Sequence, residues 1–182
     1  GLNFTDKKAN ILDRECAPSP GSPATIFGKV RKCMNWMGLW RRYYFSLFEE
    51  PQELVSKLLK IKPDIIETYP SILKLMARCI KENNIRGVAP KIIFTEAELL
   101  NQEDRKEIRA VFGGKLTDLY GIVEFGIVAW ECKEHPGYHV NADIVLVEAI
   151  RDNEPVYGEE GEMVCTDLTN YTMPFIRYAV GD

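Results

Sequence analysis

The run Asp118-Leu119-Tyr120-Gly121-Ile122-Val123-Glu124 sets an aromatic ring, a glycine and a carboxylate close together at the end of a strand-like stretch. An aromatic face can stack on a nucleobase, a glycine lets the backbone approach a phosphate, and a carboxylate is the hard oxygen ligand that Mg²⁺ takes. The order suits nucleotide binding. Taken by itself, the segment also reads as a strand-end turn carrying an exposed acid.

A second constellation is Cys132-Lys133-Glu134-His135-Pro136-Gly137-Tyr138-His139, which holds both histidines of the chain. Cys132, His135 and His139 could present a thiolate and two imidazoles to Zn²⁺, with a fourth ligand from Cys165 or Asp143. The spacing is not that of a zinc finger. A polar loop in which His139 makes structural hydrogen bonds is the competing reading.

These groups need elements to position them. Leu54, Val55, Leu58 and Leu59 recur at helical spacing behind Pro51, a residue suited to a helix's first turn. Lys62-Pro63-Asp64 breaks that helix, residues 65–68 read as a short buried strand, and Pro70-Ser71 opens a second helix with Ile72, Leu75, Met76, Cys79 and Ile80 on one face. Residues 91–95 give another strand; Asn101 is a candidate N-cap ahead of an acidic first turn, Gly113-Gly114 ends that helix, and 115–120 form the next strand. The alternation predicts an α/β fold, a mainly parallel sheet with flanking helices, whose ligands gather at the carboxyl ends of the strands.

Beyond Gly126 the pattern changes, with strand-like runs at 144–150, 162–167 and 175–180 around a turn-rich 152–161. A smaller antiparallel or barrel-like β portion is expected there. The division anticipated is an α/β subdomain over 1–126, loop-rich over 1–28 where Pro18, Pro20 and Pro23 fall, and a β-rich subdomain over 127–182. The aromatics Trp36, Trp40, Tyr43, Tyr44, Phe45 and Phe48 are expected in the core, with a pocket wall as the alternative.

Composition excludes several classes. At 46% hydrophobic and 27% charged, the 182 residues suit a globular domain rather than disorder. A net charge of -4 with scattered basic residues argues against nucleic acid as a partner, and no apolar run approaches the length of a membrane span. Five cysteines at irregular spacing do not make a secreted disulfide framework, so a cytoplasmic location is expected. The chain opens at Gly1 and stops at Gly181-Asp182, which reads as a domain taken from something longer.

The segment 118–124 resembles the tyrosine-glycine-x-threonine-glutamate signature of the adenylate-forming ligases, and Arg177-Tyr178-Ala179-Val180-Gly181-Asp182 resembles their arginine-tyrosine-x-x-glycine-aspartate signature. Between them, Gly161-Glu162 opens a strand similar to the family's glycine-glutamate-led one. Gly137-Tyr138-His139-Val140-Asn141-Ala142-Asp143 is similar to a run typical of the phenylacetate–CoA ligase and CapK-like branch. Lys62-Pro63-Asp64 through Ser71, and Thr95-Glu96-Ala97-Glu98-Leu99-Leu100, resemble the same branch. The likeness runs from about Glu50 to Asp182.

That resemblance implies a carboxylate-activating enzyme that uses ATP to form an acyl-adenylate and then an acyl-CoA thioester. It implies that Tyr120 stacks on adenine, Glu124 holds Mg²⁺ as the catalytic metal ligand, and Asp182 binds the ribose hydroxyls. Asp118, Gly121 and Val123 fall within the nucleotide-binding signature, Ala97 and Glu98 match a turn beside the adenine, and Tyr69, Pro70 and Ser71 match a loop near the acyl pocket. Partners implied are a small carboxylic acid and CoA or another thiol; the oligomeric state is not legible.

Val123 departs from the family's threonine or serine, whose hydroxyl contacts the α-phosphate. Ser19-Pro20-Gly21-Ser22-Pro23 lacks the threonine-glycine core of the family's phosphate loop, and the family's lysine-bearing lid domain is not among these 182 residues. The chain is therefore not expected to complete the reaction alone. The alternative is a non-catalytic nucleotide-binding or structural piece. Arg177 is open between a nucleotide contact and a structural ion pair.

Overall fold

The computed structural model describes residues 3–13, 30, 33, 34, 37–39, 41–132 and 137–181. Ser19 to Pro23, Trp36, Trp40, His135 and Asp182, all named above, lie outside the described residues. The chain forms two compact units, Gly1–Asp118 and Leu119–Asp182. Among the described residues no helix is long and apolar enough to cross a membrane.

The first unit is a parallel sheet with helical crossovers. Its strands are β1 (Lys8–Leu12), β2 (Arg42–Ser46), β3 (Ile65–Thr68), β4 (Ile92–Thr95) and the start of β5 (Lys115–Ile122), in the order β2-β1-β3-β4-β5. Every neighbouring pair is parallel. β2, β3, β4 and β5 are joined in turn by α1 (Pro51–Ile61), α2 (Pro70–Glu82) and α3 (Gln102–Phe112), with α2 packed against both other helices.

Local sequence explains the helices. Pro51 and Pro70 sit in first turns, where a missing N–H costs nothing. Asn101 caps α3 by accepting from the Asp104 N–H at 2.8 Å. Gly113 ends α3 at φ +79°, and a Cβ on the following Gly114 would overlap the Pro90 carbonyl oxygen, so only glycine fits there.

One face of the sheet, Ala9, Ile11, Ile66, Ile93 and Leu116, is buried against Leu54, Val55 and Leu58 of α1, Leu73 and Met76 of α2, and Ile108 and Phe112 of α3. Each of the Val, Leu, Ile, Phe and Met side chains contributes about 1.5–3 kcal/mol when fully buried, and this face holds the layers together.

β1 corrects the expectation of loop across 1–28: Lys8–Leu12 is a strand between β2 and β3, in the interior of the parallel sheet. The aromatic run is also corrected in part. β2 is a pleated strand whose successive side chains point to opposite faces: Phe45 packs against the core, whereas Tyr44 is exposed and Phe48, just beyond the strand, more so.

The second unit is antiparallel. The end of β5 pairs with β6 (Gly126–Glu131), and β6 with β7 (Tyr138–Val140). A separate sheet has the order β11-β10-β8-β9, from β8 (Val145–Arg151), β9 (Glu154–Pro155), β10 (Glu162–Asp167) and β11 (Tyr178–Ala179). Asp152 and Asn153, at φ 52° and 67°, form the two-residue turn between paired Arg151 and Glu154, the geometry hairpins favour. Phe125, Val128, Val145 and Cys165 make the core. The predicted strand over 175–180 shrinks to Tyr178–Ala179 because Arg177 adopts φ 48° and breaks the extended run.

Candidate functional site

In the first unit, β1 lies between β2 and β3 while the chain passes from β2 across it, so the strand order reverses there. Ligands of such sheets bind outside the carboxyl ends at that reversal. Ile11, Thr68, Thr95 and Asp118 are register partners in one row across those ends. The buried Thr68 hydroxyl donates to the Ile11 carbonyl at 2.8 Å, and the buried Thr95 hydroxyl donates to the Asp118 carboxylate. Asp118, expected at the nucleotide, is thus a buried acid that ties β4 to β5.

The turns beyond this row carry the other expected residues. Tyr69 is partly buried against the core and Pro70 is the first residue of α2. Tyr69, the N-cap residue, gives α2 no side-chain cap. The cap comes from the turn after β4: Glu98 accepts from the Ser71 N–H at 2.9 Å and from its hydroxyl at 2.8 Å. An acid at the positive end of a helix is favourable in itself. Ala97 beside it adopts φ 63°, a left-handed conformation that a non-glycine residue holds only at a cost. Tyr69, Pro70 and Ser71 are thereby tied to Ala97 and Glu98. Burial pushes the half-buried Glu96 carboxyl above its ordinary range; the Glu67 charge adds to the push and Lys8, which is ion-paired with Glu67, opposes it.

In the second unit, Tyr120 is partly buried against the Phe125-centred core, and the strand bulges between Tyr120 and Gly121. A Cβ at Gly121 would stand 3.3 Å from the Gly126 carbonyl oxygen, a close approach that glycine eases. Val123 and Glu124 occupy the tip of the β5–β6 hairpin, closed by the Phe125 N–H donating to the Ile122 carbonyl at 3.1 Å. Val123 is 98% exposed, so its apolar side chain packs on nothing. Glu124 is exposed, and its Oε1 accepts a hydrogen bond from the Tyr178 hydroxyl at 2.9 Å. That bond, with the Glu124 charge and then desolvation, raises the Tyr178 phenol above its ordinary value.

Sequence reasoning missed Tyr178 as a partner of Glu124, since two residues 54 positions apart show no spacing signal. Arg177 makes an ion pair: its Nε lies 3.4 Å from Glu148, and its backbone N–H donates to the Thr166 hydroxyl at 2.9 Å.

Glu124 fits a magnesium ligand. Its Oε2 has no protein partner among the described residues, and Mg²⁺ is held by one or two carboxylates together with phosphate oxygens and water. Among the described residues no three His, Cys, Asp or Glu side chains are grouped to hold a metal, and His135, one of the three zinc candidates, lies outside those residues. Cys132 is partly buried, and the His139 ring lies 5.2 Å from Trp130, its register partner.

No protein-family model matches the chain. It is 25% identical over 177 residues to protein CapK of Staphylococcus aureus, covering 97% of this chain and 38% of that protein. It is 33% identical over 139 residues to the phenylacetate-coenzyme A ligase of Thermus thermophilus, covering 70% of this chain and 31% of that enzyme. The chain thus spans between 31% and 38% of these relatives' lengths. Its fold superposes on the crystal structure of 2-hydroxyisobutyryl-CoA ligase in complex with 2-HIB-AMP and CoA, with a TM-score of 0.78 at 20% identity, over 100% of this chain and 40% of that one. By sequence likeness and fold together, the chain belongs to the adenylate-forming ligases, in the branch of CapK and the phenylacetate-coenzyme A ligases.

Proposed function

We propose that the protein to which this chain belongs activates a small carboxylic acid with ATP and passes the acyl group to CoA or another thiol. The carboxylate oxygen attacks the α-phosphorus, the bond to pyrophosphate breaks, and an acyl-adenylate results. A thiolate then attacks the acyl carbon and AMP leaves.

The observation that carries this reading is the hairpin after Tyr120: a carboxylate at Glu124 with one oxygen engaged by a phenol and the other available to a cation, following an aromatic and a glycine. Tyr120 stacks on adenine, Gly121 leaves the backbone room beside the nucleotide, Asp118 braces the strand behind it, and Asp182 accepts from the ribose hydroxyls. Glu124 would hold Mg²⁺, which when bound screens the phosphates against an attacking anion. The strand-end turns with Ala97 and Glu98 lie beside the adenine, and those with Tyr69, Pro70 and Ser71 border the acid. A reducing, cytoplasmic setting suits the free thiols of Cys33, Cys79 and Cys165.

Val123 favours a second reading, a nucleotide-binding protein without catalysis, because its exposed side chain offers no hydroxyl to a phosphate. Carboxylate-dependent exchange of pyrophosphate into ATP by the full-length protein separates the two.

A further inference from the structure

Tyr178 donates its hydroxyl to Glu124 Oε1 at 2.9 Å, and little about that hydroxyl is free to wander. The ring lies 6.0 Å from Phe125, at 49°, and 5.2 Å from Phe175, at 69°, so aromatic neighbours fix its plane. Its backbone is paired with Cys165 at the buried centre of β10, and the next N–H but one, that of Val180, donates to the Met163 carbonyl at 3.1 Å. Arg177 enters from a left-handed turn held by Thr166.

Glu124, by contrast, stands at an exposed hairpin tip, where a glutamate side chain otherwise samples several rotamers. We propose that Tyr178 is a positioning residue for the metal: its hydroxyl holds one oxygen of Glu124 so that the other is presented to a nucleotide-bound divalent cation. The proposal rests on the metal role given to Glu124 above.

The chemistry suits that task. A neutral phenol orients the carboxylate without cancelling its charge, and a carboxylate accepting one hydrogen bond keeps acceptor capacity for a cation. The nearest basic side chain in sequence, Arg177, is paired with Glu148. Outer partners of this kind orient ligating carboxylates in metal sites generally.

The test uses the full-length protein with a non-hydrolysable ATP analogue and Mn²⁺ as the probe, read by the enhanced water-proton relaxation of protein-held Mn²⁺. Tyr178→Phe keeps the ring between its aromatic neighbours and removes only the hydroxyl. It should raise the Mn²⁺ concentration at half-saturation by about 3- to 10-fold, short of the roughly 10- to 100-fold typical of more enclosed partners that hold a metal's ligands. Metal-free analogue binding and the thermal midpoint should stay in place. Glu124→Gln should weaken Mn²⁺ at least as much, and the double variant no more than Glu124→Gln alone. If Glu124→Gln weakens Mn²⁺ while Tyr178→Phe stays within twofold of the original protein, the positioning role is wrong and the role of Glu124 stands. If neither substitution moves the half-saturation, the metal role of Glu124 is wrong and the proposal falls with it.

Discussion

The Glu98 carboxylate grips Ser71 with both oxygens, one on its N–H at 2.9 Å and the other on its hydroxyl at 2.8 Å. One side chain thus caps α2 and joins the turn after β3 to the turn after β4. Glu98→Ala should destabilise the protein by about 1 kcal/mol, the typical worth of a helix cap. In the full-length protein it should also raise KM for the carboxylic acid more than KM for ATP. Urea unfolding and steady-state kinetics check the two halves, and Glu98→Gln, which keeps an acceptor oxygen, should lie between the extremes.

Thr95 and Asp118 make the buried counterpart of that contact. Thr95→Val keeps the shape but withdraws a donor from a buried acid. Its expected cost is about 1–3 kcal/mol, the range for leaving a buried polar group short of a partner. A loss below about 0.5 kcal/mol, the scale of an inconsequential surface substitution, would mean that Asp118 does not depend on this bond.

Glu96 gives the protein a pH dependence of determinable sign. Its folded carboxyl is held high, chiefly by burial and then by Glu67. A carboxyl raised above its unfolded value, about 4.3, contributes stability that is present below that value and is lost as pH rises through the folded one. Glu96→Gln should therefore be more stable than the original protein at pH 7, and its stability should fall less from acid to neutral pH. Thermal midpoints across that window decide the matter; coincident profiles would contradict the assignment.

The parts legible in sequence were those with local signals. Prolines at first turns, the Asn101 cap and the Gly113-Gly114 stop located α1, α2 and α3, and Ile65-Ile66 and Ile92-Ile93 announced buried strands. β1 was hidden because Lys8 and Asn10 interrupt its apolar residues, and only pairing on both sides makes Lys8–Leu12 interior. The strand over 175–180 was overread because a left-handed residue such as Arg177 leaves no mark in the sequence. Of the candidate site, the segment types were readable, whereas the Glu98–Ser71 and Tyr178–Glu124 contacts span 27 and 54 positions and follow from tertiary packing.

Val123 offers a gain-of-function test. Its side chain is almost fully exposed, so Val123→Thr should change stability by no more than about 0.5 kcal/mol. If a hydroxyl there reaches the α-phosphate, the adenylation rate of the full-length protein should rise about 3- to 10-fold, the worth of one added hydrogen bond. Single-turnover adenylate formation reads the change directly, and an unchanged rate would remove position 123 from the phosphate contacts.

The central claim is carboxylate activation by ATP, and the most direct measurement is Mg²⁺-dependent exchange of labelled pyrophosphate into ATP by the full-length protein, across a panel of aryl and aliphatic acids. The account predicts exchange that requires both an acid from the panel and Mg²⁺, and that Glu124→Gln shifts to higher Mg²⁺. Nucleotide binding without exchange, for every acid at saturating Mg²⁺, would contradict it.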